Sequence, residues 1–350
     1  MIKKVISVSL AVLLVIGSLA LFGCSKKDDD NTDWQNKGWD LSVPVLNENG
    51  WYMVFEDDFN GTALNENINF GEKYTGNKEI WTTSPHAIRW ASNDEDKPEQ
   101  ACWWCDNMVE VKDGNAIVHS RYEDNHTCDG NCPAAGRFTS GIETRIIEGD
   151  NNANKGTADK LLFAQAFGYF ECRVKLPKSQ GMWSAFWLQS SNMRKIGNQG
   201  KDGTEIDVYE SAFLNSPQSE MGHALLWDGY GSKGKVDDYI GELEQDLYDG
   251  YHTFALKWTP EYYVFYIDGK ATWATDGGDV SRVPEFLRLT CEIDAGDGWG
   301  PHGKEIGQFS HNNEENEDFL IDYVKVWQNE NYEQFIQSDD EFKGKLDGVN

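Results

Sequence analysis

Short segments in which apolar and polar residues alternate extend from Trp51 to Gln328. Clusters of Gly, Asn and Asp separate these segments at intervals of about ten residues. Alternation places successive side chains on opposite faces of a strand, and Gly, Asn and Asp favour turns between strands. Clear examples lie at residues 116–120, 168–175, 205–209, 252–258, 263–267 and 319–327. The pattern predicts one all-β domain made of two packed antiparallel sheets.

The charge balance of the chain excludes several classes of partner. The 350 residues include 31 Lys and Arg against 59 Asp and Glu, a formal charge of −28. A surface this acidic repels phosphate backbones and anionic lipids, so we expect no nucleic-acid partner. We also expect the protein to be a monomer. The 39% hydrophobic content is enough for a core, and the 14 Trp residues suit either a sheet core or a sugar-binding cleft.

The N-terminus has the pattern of a processing signal. Lys3 and Lys4 precede an apolar run that ends in Leu-Phe-Gly-Cys at Cys24, which resembles a bacterial lipobox. In this interpretation the chain is cleaved before Cys24, and the thiol carries a lipid. A simple membrane helix is the alternative, but a small residue followed by Cys and a polar segment ends the apolar run. The membrane would then hold the protein only through this lipid.

These features divide the chain into four parts. Residues 1–23 form the predicted signal peptide, and residues 24–46 a flexible, lipid-anchored tether rich in Asp, Asn, Lys and Ser. Residues 47–330 form the predicted β domain, and residues 331–350 a C-terminal tail. We expect the mature protein at the cell surface or in the cell envelope, outside the cytoplasm.

Three carboxylates crowd one predicted strand. Glu205 and Asp207 point to the same face of this strand because side chains alternate. Glu210 lies five positions after Glu205 and would ordinarily point to the other face. A β-bulge near Tyr209 would insert one extra residue and return Glu210 to the face of the other two.

Three carboxyl groups side by side cannot all ionise cheaply, so one should keep its proton near neutral pH. A retaining glycosidase needs such an arrangement: an ionised nucleophile and a protonated acid/base, about 5–5.5 Å apart. The alternative is a solvent-facing acidic strand in a very acidic protein. The segment alone leaves both interpretations open.

The flanking segments resemble glycoside hydrolase family 16, a group of endo-acting β-glycanases. The resemblance rests on the Glu-Ile-Asp-x-x-Glu strand together with GYFECRVKLP at 168–177 and GMWSAFWL at 181–188. It continues with FEDDFNG at 55–61, FTSG at 138–141, YHTFALKWTP at 251–260, FYIDG at 265–269 and IDYVKVW at 321–327. The bulged strand is similar to the laminarinase, agarase and endo-β-galactosidase branch.

The resemblance implies a concanavalin-like β-sandwich jelly roll with a concave substrate cleft, and residues 47–330 as the catalytic domain. Glu205 would be the nucleophile, and Asp207 would hold Glu205 in place. Glu210 would protonate the leaving oxygen and then activate water. The implied reaction requires no cofactor.

The resemblance also suggests the side chains that contact sugar. Trp183 and Trp187 would stack on sugar rings, with buried core Trp as the alternative for each. His223 on the next strand is a plausible cleft residue, and Trp227 shares its face by alternation.

Internal β-glycosidic bonds of a neutral polysaccharide are the expected substrate, with β-1,3-glucan favoured because of the bulged strand. Ser211 and the segment 227–231 depart from typical β-1,3-glucanases and favour a β-galactan of the mucin, keratan or agar type instead. The axial C4 hydroxyl of galactose would need a polar partner, expected from His223 or Asp228. A non-catalytic surface lectin on the same scaffold is the alternative from another class.

The cysteines form two close pairs, Cys102 with Cys105 and Cys128 with Cys132. Outside the cytoplasm disulfides are the first interpretation, and a four-thiolate zinc site is the alternative. The family resemblance further suggests a structural calcium on the convex face. Asp58, Gly61 and Asp322 occupy the corresponding positions.

Overall fold

A computed structural model describes residues 33–84, 87–90, 102–128, 132–147, 160–179, 182–211, 219–293, 317–342 and 345–346. The predicted signal peptide and the lipidation site Cys24 lie outside the described residues, so both stay predictions. No helix in the described ranges is long and apolar enough to span a membrane.

Strands are the dominant elements of the described chain. The first twelve are β1 (Trp51–Asp57), β2 (Asn69–Phe70), β3 (Thr82–Thr83), β4 (Ala87–Trp90), β5 (Cys102–Trp104), β6 (Val109–Lys112), β7 (Asn115–Glu123), β8 (Gly136–Thr139), β9 (Gly141–Glu143), β10 (Arg145–Ile146), β11 (Lys160–Leu161) and β12 (Gly168–Lys175). The others are β13 (Met182–Gln189), β14 (Lys195–Ile196), β15 (Glu205–Glu210), β16 (Glu220–Trp227), β17 (Lys235–Glu242), β18 (His252–Trp258), β19 (Tyr263–Ile267), β20 (Lys270–Thr275), β21 (Phe286–Ile293), β22 (Glu317–Asn329) and β23 (Lys345–Leu346). Short 3₁₀ turns lie at Asp33–Asn36, Asp106–Met108, Gln199–Asp202, Gly277–Asp279, Glu333–Phe335 and Asp339–Glu341.

Two large sheets contain most of these strands. The larger sheet has the order β20-β19-β18-β12-β22-β7-β8-β5-β4, with β1, β2 and β6 paired at its sides. The smaller sheet has the order β17-β16-β15-β13-β21-β9-β3. Pairing is antiparallel except between β5 and β8. The prediction of an all-β fold with two antiparallel sheets is confirmed, and β12, β18 and β19 have the predicted bounds.

Aromatic side chains on the facing sides of the two sheets form the core. Tyr209 of β15 and Phe254 of β18 have ring centroids 4.2 Å apart, which joins the smaller sheet to the larger one. Both rings are fully buried. Each such side chain contributes about 1.5–3 kcal/mol through removal of apolar surface from water. The opposite side of the smaller sheet therefore remains available for a functional site.

The segment predicted as a flexible tether is in part packed on the domain. Trp34 is 8% exposed and meets the ring of Tyr239 edge-on, and Trp39 stacks on Tyr262 at 5.1 Å. The Nζ of Lys257 donates to the carbonyl oxygen of Ser42 at 2.7 Å. Part of the predicted tether, within residues 33–46, therefore contacts the sandwich through Trp34, Trp39 and Ser42.

The first part of the predicted C-terminal tail also contacts the domain. The ring of Tyr332 meets Trp51 edge-on at 5.6 Å, and the backbone N–H of Gln337 donates to the carbonyl of Arg282 at 2.8 Å.

Candidate active site

A β-bulge in β15 brings the three predicted carboxylates to one face of the smaller sheet. Along β13 the partners of Glu205, Asp207 and Glu210 are Gln189, Trp187 and Ala185. Those three partners alternate along a regular strand, so they share one face, and the carboxylates opposite them share it too. The register shifts by one residue between Asp207 and Glu210 against both neighbouring strands. The predicted bulge is therefore present.

Two hydrogen-bond donors hold Glu205, which is only 9% exposed. The Nε2 of Gln189 donates to its Oε2 at 2.7 Å, and the hydroxyl of Tyr230 donates to the same oxygen. Tyr230 comes from the turn after β16, where Asp228 and Gly229 both have positive φ. Burial and the adjacent Glu205 charge raise the pKa of Tyr230, so its hydroxyl keeps the proton that it donates.

Burial raises the pKa values of the other two carboxyl groups, Asp207 and Glu210, above those of exposed acids. Burial raises the pKa of Glu210 to about 8, and the neighbouring Glu205 adds to the effect. The Nε1 of Trp183 donates to the Oε1 of Glu210 at 3.1 Å and opposes the rise. Burial, followed by Glu210 and Glu205, raises the pKa of Asp207 well above its usual range. Glu210 is therefore mostly protonated at neutral pH.

A buried guanidinium lies beside these acids. Arg288 of β21 pairs through its Nε with Glu143 at 2.8 Å and is 1% exposed. Its guanidinium lies 3.9 Å from the ring centroid of Trp187 and 5.5 Å from that of Trp104. Its positive charge lowers the pKa of Asp207 and so partly offsets the effect of burial.

Trp187 lies opposite Asp207 on the same sheet face, but it is a poor platform for a sugar. It is 7% exposed, one face of its ring is covered by Arg288, and its Nε1 donates to Thr290 at 3.0 Å. The prediction that Trp187 stacks on sugar is therefore wrong, and the alternative of a buried indole applies. Trp183 is half-buried on the same face beside Glu210, where it can meet a ligand.

His223 does not lie in the cleft, contrary to the prediction. Its Nδ1 contacts the carbonyl of Val208 at 2.7 Å, and its Nε2 contacts the hydroxyl of Thr272 at 2.9 Å. The ring is fully buried against Phe265, and burial lowers its pKa to about 4, so it is neutral. The reason is register: it is Ala224 that lies opposite Asp207, so His223 points to the inner face.

Trp227 shares the face of His223, as alternation predicted, but this is the inner face. It packs against the core cluster, and a Cβ placed on Gly278 would lie 3.0 Å from its ring. The prediction that Trp227 binds substrate is wrong for the same reason. Leu226, the residue before it, lies opposite Glu205.

The sequence interpretation missed Gln189, Tyr230 and Arg288. Gln189 has a local signal, because it lies two residues after Trp187 and so shares its face. Tyr230 and Arg288 lie 25 and 83 positions after Glu205 in the chain. No local pattern places them beside the carboxylates, and only the sheet order brings them there.

The residues predicted for calcium are engaged with other groups. The Oδ2 of Asp322 pairs with Arg173 at 2.5 Å, and the Oδ2 of Asp58 accepts from the amide of Asn60 at 2.6 Å. Next to Gly61, the carboxylate of Glu66 accepts the backbone N–H of Thr62 at 2.8 Å. An arginine cation at Asp322 competes with a metal for that carboxylate, so these residues do not fit a calcium site.

The cysteines are gathered differently from the prediction. Cys105, Cys128 and Cys132 lie together with His126, and one ligand atom of each falls within 4.8 Å of the others. Cys102 instead is fully buried in the main sandwich core. The prediction of Cys102 as a member of this group is wrong, because its side chain alternates away from that of Cys105. His126 was missed, although its spacing from Cys128 is a recognisable signal.

Known proteins resemble this chain in sequence. The sequence profile described as glycosyl hydrolases family 16 matches residues 124–332. An endo-1,3-1,4-beta-glycanase of Rhizobium meliloti is 26% identical over 195 residues, which cover 54% of this chain and 37% of that protein. The chain thus spans well under two thirds of the length of this curated relative.

Solved structures share the fold. One comes from work on endo-acting O-glycanases that human gut microbiota express to initiate mucin breakdown; it has a TM-score of 0.58, is 19% identical, and aligns over 87% of this chain and 99% of that chain. The catalytic domain of an endo-1,3-beta-glucanase (laminarinase) from Thermotoga petrophila has a TM-score of 0.53 at 19% identity over 80% of this chain and 98% of its own. At this identity the likeness establishes the jelly-roll fold.

Proposed function

The chain belongs to glycosyl hydrolases family 16, and on that premise we propose that it is an endo-acting hydrolase that cleaves internal β-glycosidic bonds with retention of configuration. The observation that carries the proposal is the bulged strand β15, which presents Glu205, Asp207 and Glu210 on one face. A retaining enzyme needs a nucleophile and an acid beside each other on such a face.

Glu205 is the proposed nucleophile. Its Oε2 is held by Gln189 and Tyr230, and we propose that the other oxygen, Oε1, attacks the anomeric carbon. The attack forms a glycosyl-enzyme ester and breaks the bond to the leaving oxygen. Donors that fix one carboxylate oxygen orient the other and stabilise the ionised form before the reaction.

Glu210 is the proposed acid/base. With a pKa of about 8, it holds its proton at neutral pH and can give it to the leaving oxygen. In the second half-reaction the deprotonated Glu210 takes a proton from water, which attacks the ester and restores Glu205. The indole N–H of Trp183 fixes the Oε1 of Glu210 throughout both steps.

Asp207 is the proposed positioning group between them. Its raised pKa favours the protonated carboxyl, which would lower the negative charge beside Glu205. Arg288 lies on the same sheet face as Asp207, because both are opposite Trp187 in register, and Glu143 and Trp187 hold its guanidinium in place.

A sugar platform at Trp183 completes the proposed site. Its half-buried indole lies next to the acid/base, so a sugar that stacks on it would have its glycosidic oxygen close to Glu210. The sequence supports the wider setting: a lipid at Cys24 would tether the enzyme outside the cytoplasm, where long polysaccharides are accessible.

β-1,3-Glucan, alone or with mixed linkages, is the first proposed substrate. Support comes from the names of the relatives, an endo-1,3-1,4-beta-glycanase and an endo-1,3-beta-glucanase. The groups expected to receive an axial galactose hydroxyl also point elsewhere. His223 is in the core, and the Oδ1 of Asp228 accepts the N–H of Gly197 at 2.9 Å.

A β-galactan of the mucin type is the second candidate. Tyr230 places a phenolic hydroxyl beside the carboxylate that attacks the sugar, where it could also pair with an axial hydroxyl. The structural neighbour from work on mucin-degrading O-glycanases gives this candidate its substrate class.

The substitution Glu205→Gln should lower the rate of hydrolysis by at least about three orders of magnitude, because an amide is not a nucleophile. The measurement is reducing-end release, with circular dichroism to verify the fold and exposed Glu244→Gln as the control.

Early-time proton NMR of wild-type products should show the β anomer first. Ordinary activity in Glu205→Gln, or the α anomer first, would contradict the mechanism. Wild-type binding without any release would favour the lectin.

The pH profile of kcat/KM should have a basic limb with a midpoint at about pH 8, because the active form carries the Glu210 proton and loses it as pH rises through that pKa. Trp183→Phe removes a donor that lowers this pKa, so the limb should move upward. Glu210→Gln should abolish the limb, and azide should restore turnover of substrates with activated leaving groups. A downward shift in Trp183→Phe would refute the assignment.

Tyr230→Phe should lower kcat by about 10- to 100-fold with little change in KM, since a hydrogen bond to a charged group is worth about 1.5–3 kcal/mol. Steady-state kinetics would measure both constants. Tyr52→Phe is the matched control, because the Tyr52 hydroxyl donates to the remote Glu333 at 2.6 Å. An equal loss in both variants would show that the effect is not specific to the site.

A polysaccharide panel would distinguish the two substrates. Laminarin and mixed-linkage glucan should yield a ladder of oligosaccharides, whereas agar, keratan and mucin-type galactans should remain intact; chromatography separates the products. Glu205→Gln run on every polymer is the blank. Cleavage of galactans alone would overturn the glucan and support the second candidate.

A further inference from the structure

A second cluster of reactive side chains lies at the end of the larger sheet, apart from the carboxylates. Cys105 follows β5, while His126, Cys128 and Cys132 lie between β7 and β8. One ligand atom from each falls within 4.8 Å of all the others. A tetrahedral ion with metal–sulfur bonds of about 2.3 Å places its sulfurs about 3.8 Å apart. The observed spacing is compatible with four ligands around one small cation.

His126 is already arranged as a metal ligand would be. Its Nδ1 forms a hydrogen bond with the Oε2 of Glu123 at 2.7 Å, and its Nε2 is buried with no hydrogen-bond partner. A proton on Nδ1 leaves a lone pair on Nε2. Zinc-binding histidines characteristically donate their other ring N–H to a carboxylate in this way. A buried polar nitrogen without a partner is otherwise destabilising, because it has lost its hydrogen bonds to water.

The surrounding backbone holds these ligands in place. The N–H of Cys105 donates to the carbonyl of Thr139 at 2.9 Å, and the N–H of His126 donates to the carbonyl of Ala134 at 2.7 Å. The ring of His126 stacks on Phe138 with centroids 3.6 Å apart. Two contacts thus fix the imidazole from both its backbone and its ring face.

The donor set favours a soft or borderline metal. Three sulfurs and one imidazole form a Cys₃His set, which is typical of structural zinc. A disulfide joins only two sulfurs, so it would leave a third thiol and the His126 lone pair in the same pocket.

We propose that Cys105, Cys128, Cys132 and the Nε2 of His126 bind one Zn²⁺ ion in a closed structural site. Each thiol releases its proton to solvent on binding, and no oxidant is needed. The fourth ligand is His126, in place of the Cys102 of the four-thiolate alternative.

The proposed zinc site is connected to the catalytic cleft through Trp104 and Arg288. Cys105 directly follows Trp104, whose Nε1 donates to the carbonyl of Cys291 at 2.9 Å. The ring of Trp104 faces the Arg288 guanidinium, which contacts Trp187 on its other side. A zinc ion at Cys105 would therefore anchor the end of β5 and, through Trp104, the position of Arg288.

Elemental analysis of the full-length protein, exported to an oxidising compartment and purified without chelator, tests the proposal. About one zinc per chain is expected, and cobalt substitution should give the visible absorption of a tetrahedral thiolate site. Removal of the metal by a chelator should lower the melting temperature by at least about 5 °C.

Matched variants identify the ligands. His126→Ala and Cys128→Ala should each lose most of the zinc, whereas Cys102→Ala and His119→Ala should retain it. The melting temperature of His126→Ala should no longer respond to the chelator. Because these variants may fold poorly, peptide mass spectrometry of the wild type provides an independent measurement: none of the three cysteines should be in a disulfide.

Two results would overturn the proposal. A wild-type protein without zinc, in which Cys105, Cys128 or Cys132 forms a disulfide, would establish the redox alternative. Zinc lost in Cys102→Ala but kept in His126→Ala would establish a four-thiolate site instead. Both readouts are independent of hydrolysis, so they hold whether or not the proposed activity is correct.

Discussion

The burial of three carboxyl groups on one sheet face is the constraint on which the rest of the site depends. Water cannot stabilise their charges there, so the pKa values of Asp207 and Glu210 rise and only part of the trio ionises. The three groups are crowded on this face because a β-bulge places Glu210 beside the other two. A regular strand would turn Glu210 to the opposite face, where the aromatic core would exclude a charged group.

Different hydrogen-bond donors contact the carboxylates at the two ends of β15. Gln189 and Tyr230 donate to Glu205, whereas Trp183 donates to Glu210. These donors lie on elements other than β15, whereas burial and the neighbouring Glu205 raise the pKa of Glu210. Such separation of two equivalent side chains by their environments is what acid/base chemistry at neutral pH requires.

A chain of contacts joins the catalytic face to the edge of the larger sheet. Arg288 lies between Trp187 and Trp104, and Trp104 immediately precedes Cys105 of the proposed zinc site. Small domains often use a metal to fix segments that a core cannot hold. Here the core is large, and the proposed ion serves the loops next to it, where β5 pairs in parallel with β8.

The sequence by itself determined the sheet content, the strand that carries the acids, and the bulge, because alternation and the spacing of Glu205, Asp207 and Glu210 are local properties of the chain. It did not determine which face of the next strand meets those acids. A shift of one residue in register exchanges the faces, and this placed His223 in the core although its strand was identified. Tyr230 likewise acquires its role only through tertiary structure, because the order of the strands sets its contact with Glu205. His126 has a local partner in Glu123, and only strand packing brings Cys105 close to it.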